Sequence, residues 1–249
     1  MNPNKKIYFA SDFHLGMPNY EKSLVREKRI VKWLDEIKHD AQEIYLMGDL
    51  FDFWFEYKHT VPKGFTRLFG KLAEITDSGI PVTFFTGNHD MWMFEYFPKE
   101  LGVQIYQEPI IREYNGKKFY LGHGDGLGPG DYGYKFIKKV FANPLCQWLF
   151  ARLHPNFAMG FANYLSKTSR LSNGPKDEKF TGEENEWLAV YSKGIIQKEH
   201  FDYLIFGHRH LPLDIKLNNN SRYINLGEWI NHNSYAVFDG INLELEYYK

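Results

Sequence analysis

A single cysteine, Cys146, stands in a chain of 249 residues. No intrachain disulfide can form, which excludes a disulfide-stapled secreted scaffold and fits a reducing compartment. Long apolar runs are missing too. The best stretch, Pro144 to Leu165, is interrupted by Gln147, Arg152, His154 and Asn156. It falls short of the roughly 18 uninterrupted apolar residues that a spanning helix requires. The first residues, Met1 to Lys6, show no apolar core and no small-residue cleavage site, so no signal peptide is expected and the expected location is the cytoplasm. Excess charge of one sign is also absent. Lys plus Arg number 30 and Asp plus Glu 31, a formal net charge of −1. That balance excludes a globally basic nucleic-acid binder and an acidic solvating tail.

One further absence is local. Between Tyr132 and Lys176 there is no Asp or Glu, while Lys135, Lys138, Lys139, Arg152, Lys167, Arg170 and Lys176 are all present. These 45 residues carry +7, which leaves −8 for the other 204. The same stretch is rich in apolar residues, among them Phe141, Trp148, Leu149, Phe157 and Phe161. It reads as a helical cap over 127–180, inserted in a single domain of residues 1–249. Apolar side chains there and lysines beside them suit an amphiphilic, anionic ligand, at about 0.8 kcal/mol per buried CH₂ and about 1 kcal/mol per surface lysine. A merely solvated basic face is the plainer alternative.

What is abundant is aromatic: 21 Phe, 17 Tyr and 6 Trp. Phe51–Tyr57 holds five aromatics in seven residues, and Met91–Phe97 holds four with two methionines. Such runs either receive acyl chains or pack helices against sheets. The order of elements is clearer. Short apolar runs at Ile7–Ser11, Ile44–Met47 and Pro81–Thr86 alternate with helical stripes at Ser23–Ile37 and Phe65–Thr76. Strand, helix, strand, helix, strand argues for parallel βαβ units. Asn115-Gly116 between Pro109–Tyr114 and Lys117–Leu121 predicts a hairpin. A helix near Glu183–Lys198 and strands from Tyr203 to Tyr247 follow, so two packed sheets with helices outside are expected.

Five clusters carry the chemistry. They are Asp12-Phe13-His14, Gly48-Asp49-Leu50-Phe51-Asp52, Gly87-Asn88-His89-Asp90, Gly122-His123-Gly124-Asp125 and Gly207-His208-Arg209-His210. Each lies just past an expected strand, where ligands of α/β sheets gather. Imidazole, carboxylate and carboxamide without thiolate suit Mn, Fe, Zn or Co. One tetrahedral ion cannot use so many donors. Two ions about 3.5–4 Å apart can, and such a pair activates water for in-line displacement at phosphorus. His39, His59, His154, His200 and His232 lie outside the clusters, where surface or packing roles are expected.

From Ile7 to His210 the chain resembles calcineurin-like metallophosphoesterases, whose motifs Asp-x-His, Gly-Asp-x-x-Asp, Gly-Asn-His-Asp, Gly-His and Gly-His-x-His it repeats in order. The resemblance implies an α/β fold, a four-layer αββα sandwich, and a dinuclear centre with Mn²⁺ as the expected ion. It implies that Asp12, His14 and His210 hold one ion, Asn88, His123 and His208 the other, and Asp49 bridges them. His89 would act at the leaving group, with Asp90 orienting its imidazole. Asp49, Asn88 and His89 would form the catalytic set.

Within that family the chain is similar to the UDP-2,3-diacylglucosamine diphosphatases of lipid A synthesis. The likeness rests on Asp49-Leu50-Phe51-Asp52-Phe53-Trp54, on His123 to Leu127 with Asp131 and Gly133-Tyr134, and on Ser169-x-x-x-Asn173-x-x-Lys176. It implies a lipid-linked UDP-sugar substrate touched by Asn88, His89, Asp131, Ser169, Asn173, Lys176 and His208. It also implies a peripheral position on the cytoplasmic face of the inner membrane, with no nucleic acid and no stable protein partner. At His89 the chain departs from those enzymes, many of which have Arg there. Another phosphoesterase, such as a nucleotide pyrophosphatase, a phosphodiesterase or a protein phosphatase, is the alternative.

Overall fold

Successive side chains of a strand point to opposite faces, and here both faces of the central strands are apolar. The computed structural model describes residues 1–249 apart from 3, 131, 163 and 167–179. In β1 (Lys6–Ala10), Ile7 and Phe9 enter one buried cluster while Tyr8 and Ala10 enter another. The same alternation runs through β2 (Ala41–Leu46) and β3 (Val82–Phe85), as it must when a sheet is covered on both sides.

β4 (Gln104–Tyr106), β10 (Ser234–Phe238) and β11 (Leu243–Tyr247) complete a six-stranded sheet of order β11-β10-β1-β2-β3-β4. The second sheet has five strands: β5 (Ile110–Tyr114), β6 (Lys117–Leu121), β7 (Tyr203–Phe206), β8 (Pro212–Lys216) and β9 (Arg222–Leu226). Their order is β5-β6-β7-β9-β8. Asn115 and Gly116, both at positive φ, close the β5–β6 hairpin as a turn whose twist suits the strands.

Ile7, Phe9, Tyr45 and Phe85 of one sheet meet Phe119, Leu121, Ile205 and Leu226 of the other in the middle layer of the core. Outside the first sheet lie the helices Tyr20–Ile37 and Thr66–Asp77, which bury Ile30, Trp33, Leu34, Leu68, Leu72 and Ile75. Outside the second lies Trp187–Ile196, with Leu188 and Ala189 on Leu204, Phe206 and Tyr223. These are the four layers of an αββα sandwich. Thr66–Asp77 has no side-chain cap of its own. Buried Glu27 of the neighbouring helix accepts the Arg67 and Leu68 N–H groups at 2.9 and 3.2 Å, satisfying the donors a helix start leaves open.

The strands from Tyr203 to Tyr247 do not all join one sheet. β10 pairs antiparallel with β1, in register Ile7↔Phe238 and Phe9↔Ala236, so the C-terminal hairpin closes the edge of the first sheet. The short helix Tyr96–Leu101 and β4 also escape the sequence pattern. Each is too short to show a period, and Pro98 falls inside the helix.

Between β6 and Trp187–Ile196 lie the helices Tyr132–Ala142 and Pro144–Phe150, and 155–162 is helical as well. Neither of the first two buries a single residue. Two aromatic contacts tie them down: Trp92 Nε1 donates to Phe141 O at 2.8 Å, and Phe150 packs against Phe55 and Trp92 with ring centroids 4.7 and 4.8 Å away. No helix among the described residues is long and apolar enough to cross a membrane.

Candidate metal centre

The loops leaving β1, β2, β3, β6 and β7 all carry a histidine, carboxylate or carboxamide cluster, and the two packed sheets bring their ends to one place. Asp12, His14, Asp49, His208 and His210 have φ of 56°, 44°, 53°, 70° and 54°. Left-handed backbone at residues with a Cβ costs about 1–3 kcal/mol each and persists only where surroundings enforce it. Here the enforcement is a backbone ladder between loops: Asp12 N to Gly48 O, His14 N to Asp49 O and Gly207 N to His123 O, each 2.9 Å. Two glycines make room for the carboxylates. A Cβ on Gly87 would lie 2.2 Å from Asp49 Oδ1, and one on Gly207 2.5 Å from Asp12 Oδ2.

Backbone N–H groups then aim each carboxylate. Asp12 Oδ2 accepts from His208 N at 3.0 Å, and Asp49 Oδ1 accepts from His89 N at 2.9 Å. The other oxygen of each is left for the site: Asp12 Oδ1 lies 3.3 Å from His210 Nε2, and Asp49 Oδ2 lies 3.3 Å from His123 Nε2. His123 Nδ1 faces the Met47 carbonyl at 2.7 Å, which can only accept, so this ring carries its proton on Nδ1 and turns Nε2 inward.

Two groups of donor atoms result, each within 4.8 Å: Asp12, His14, Asp49 and His210, and Asp49, His123 and His208. Asp49 belongs to both. A third group joins His14, Asp52 and His89.

Divalent ions fit this arrangement. Asp12 Oδ1, Asn88 Oδ1 and His123 Nε2 are buried without a hydrogen-bond partner among the described residues. His14 Nε2 and His210 Nε2 stand 2.9 Å apart, two ring nitrogens converging where a cation between them would take both lone pairs. Burial alone would raise the Asp12 carboxyl, yet the imidazoles of His14 and His210 beside it hold it far below the usual carboxylate range. Burial would likewise raise Asp49, and the charge on His123 and His89 overrides it. Burial opposes a charged His123, but Asp49 beside it pushes the imidazole up to about 10. Burial and the His123 charge push His208 down to about 4. The centre is thus a buried anionic site that draws positive charge.

The structure brings together Asp12, His14, Asp49, His123, His208 and His210. It buries Asn88 Oδ1 and sets His89 against His14, ring centroids 5.1 Å apart. Asp131, Ser169, Asn173 and Lys176 lie outside the described residues. One expectation is corrected. Asp90 does not orient the His89 ring: it is fully buried and accepts from Gly87 N and Leu50 N at 2.7 Å, tying the β2 and β3 loops together. Burial and the nearby Asp49 charge raise it to about 7. The ring is oriented instead by the Asp52 carbonyl, 2.9 Å from Nδ1. For the aromatic runs the structure favours packing, one of the two readings the sequence leaves open. Phe51, Trp54, Phe55, Met93 and Phe97 are buried core, so these runs pack the protein rather than offer an open acyl surface.

Sequence reasoning missed the supports. Arg26 donates to His14 O and Met17 O at 2.6 Å. Buried Arg209, between the two histidines of its motif, pairs with Glu186 at 3.0 Å and stacks over Trp187 at 4.3 Å. The position of Arg209 was a signal of its role; nothing in the sequence marked Glu186. Asp125, in the same sequence cluster as His123, receives Tyr134 OH at 2.6 Å and Lys138 Nζ at 2.7 Å, joining the site to helix Tyr132–Ala142.

The model of the calcineurin-like phosphoesterases matches residues 5–212, so the chain belongs to that family and is a hydrolase. Among curated relatives, a UDP-2,3-diacylglucosamine hydrolase of Porphyromonas gingivalis is 43% identical, covering 97% of this chain and 97% of its own. One of a Shewanella species is 29% identical over 97% of this chain and 96% of its own. Among solved structures, the phosphoesterase Yfce from E. coli is 17% identical, with a TM-score of 0.46, over 98% of this chain and 100% of its own.

Proposed function

We propose that this hydrolase cleaves the pyrophosphate of UDP-2,3-diacylglucosamine, giving UMP and 2,3-diacylglucosamine 1-phosphate. The observation that carries the reading is the full-length 43% identity to a protein named for that substrate. Asp12, His14 and His210 would hold one divalent ion, Asn88, His123 and His208 the other, and Asp49 both. Mn²⁺ is the ion proposed, because the donors are nitrogen and oxygen without thiolate. When bound, such ions supply Lewis acidity and a lowered water pKa. Asp49 and Asp12 keep the site anionic until cations arrive. His89 keeps one proton on Nδ1 against the Asp52 carbonyl and presents Nε2 to the departing phosphoryl oxygen; with a second proton on Nε2 it gives that proton to the leaving oxygen and is left as the neutral Nδ1–H imidazole. Glu186 and Arg209 keep the His208–His210 loop in place.

Residues 127–180 are read as the cap that receives the lipid, with Asp131, Ser169, Asn173 and Lys176 toward the UDP-sugar. Thirteen of the twenty exposed large hydrophobic side chains among the described residues fall between 132 and 165, beside Lys135, Lys139 and Arg152. That combination supports a peripheral position on the cytoplasmic face of a membrane. Mass spectrometry of products from UDP-2,3-diacylglucosamine with Mn²⁺ tests the reading. UMP and the lipid phosphate are expected. Equal turnover of deacylated UDP-glucosamine would refute the lipid assignment and favour a nucleotide pyrophosphatase, which His89 in place of Arg also permits.

A further inference from the structure

His89 has two oxygens at the same ring nitrogen. The Asp52 carbonyl lies 2.9 Å from Nδ1, and Ser166 Oγ lies 3.1 Å from it. Ser166 Oγ also donates to the Asp52 carbonyl at 3.2 Å. The three groups contact one another pairwise in a triangle. A carbonyl can only accept, so Nδ1 must bear the proton, and the serine hydroxyl, whose own proton goes to the carbonyl, turns a lone pair to Nδ1–H. His89 Nε2 makes no hydrogen bond among the described residues, so the triangle determines which nitrogen is available for chemistry. Asp52 comes from the loop after β2. Ser166 is 77 residues further on than His89, within the basic, apolar segment.

We propose that Ser166 is a positioning residue for His89: the exposed apolar segment contributes a hydroxyl that fixes the tautomer and direction of the imidazole at the metal floor. The proposal rests on the reading of His89 as the group acting at the leaving oxygen. Partners behind a working imidazole alter activity by about 10–100-fold when removed. Ser166→Ala therefore lowers kcat about tenfold with KM within twofold of wild type, and Ser166→Thr, which keeps the hydroxyl, restores most of the loss.

The decisive experiment is a double-mutant cycle with His89→Ala, run with Mn²⁺ on UDP-2,3-diacylglucosamine and on the soluble diester bis(4-nitrophenyl) phosphate. In the His89→Ala background, Ser166→Ala is expected to change nothing further on either substrate. Equal losses with and without His89 would overturn the proposal, as would a Ser166→Ala effect confined to KM of the lipid. A wild type that cleaves only the diester refutes the substrate reading, while the cycle on the diester still decides Ser166. A measurement independent of turnover is the ¹⁵N spectrum of ring-labelled His89. Wild type is expected to show one tautomer with a slowly exchanging Nδ1–H, and Ser166→Ala fast exchange or a mixture. Identical spectra would overturn the proposal.

Discussion

The metal floor and the helices between 132 and 165 depart from ordinary burial in opposite senses. The floor buries what proteins usually expose: Asp12, His14, Asp49 and His123 are at most 4% accessible. The helices expose what proteins usually bury, with Phe136 at 68% and Leu145 at 64%. A buried carboxylate is costly unless countercharge reaches it. An apolar patch in water is costly unless something covers it. Each region calls for a partner of opposite character: divalent cations for one and, on the function proposed above, an amphiphilic anion for the other. The near-neutral total charge conceals this, because it sums the basic segment with an acidic remainder.

Breaking the floor should have the largest effect. Asp49→Ala removes the one carboxylate shared by both donor groups, and no measurable turnover is expected, with metal analysis of the purified protein showing loss of bound ion. Full activity in a metal-depleted Asp49→Ala protein would refute the site. His89→Ala should leave metal content unchanged and lower kcat by roughly 10²–10⁴, the range for a positioned acid–base group. Loss of metal in that variant would assign His89 to the ligands instead.

The helices can be broken separately. Trp148 and Leu149 are 52% and 54% exposed on Pro144–Phe150. Changing either to Ser should weaken binding to anionic lipid vesicles about tenfold, since burying such a side chain is worth about 1.5–3 kcal/mol. Turnover of bis(4-nitrophenyl) phosphate should stay as in wild type. Unchanged vesicle binding would remove the lipid from the account of this surface and leave the floor untouched.

The sequence made the floor more legible than its surroundings. Donor clusters recur immediately after strands, and strands end where a periodic apolar run stops at Gly or Asp, so Asp12, Asp49, Asn88, His123 and His208 were readable locally. Orientation was not. Whether Asp90 or the Asp52 carbonyl faces His89 depends on how two loops cross, and the contact joins residues 37 apart. Glu186 and Ser166 were invisible for the same reason: their partners lie 23 and 77 residues away. The four layers were readable from alternation and βαβ order. The return of β10 and β11 to the first sheet was not, because both sheets offer apolar edges and only packing selects between them.

The smallest expected effect lies where the two regions meet. Asp125 is 5% accessible and binds Tyr134 and Lys138 of helix Tyr132–Ala142, which buries no residue of its own. Burial would raise this carboxyl, but the His123 and Lys138 charges lower it below the ordinary value. A depressed carboxyl stabilises the fold fully above its unfolded pKa of about 3.9 and loses that contribution as pH falls through the lower folded value. Asp125→Asn keeps the shape and deletes the charge, so it should loosen the helix by about 1.5–3 kcal/mol, the range for a charged hydrogen bond. Limited proteolysis should then cut within 132–150 faster in the variant at pH 7, while the two sheets remain intact. In a stability comparison the gap between variant and wild type should narrow as pH drops below about 4, because wild type becomes neutral as well. A gap that persists in acid would mean that Asp125 holds the helix by shape rather than by charge. Equal cleavage at pH 7 would place the anchor in contacts other than the Asp125 charge, among them Trp92–Phe141, Phe150 and Lys135 on the Gly128 carbonyl.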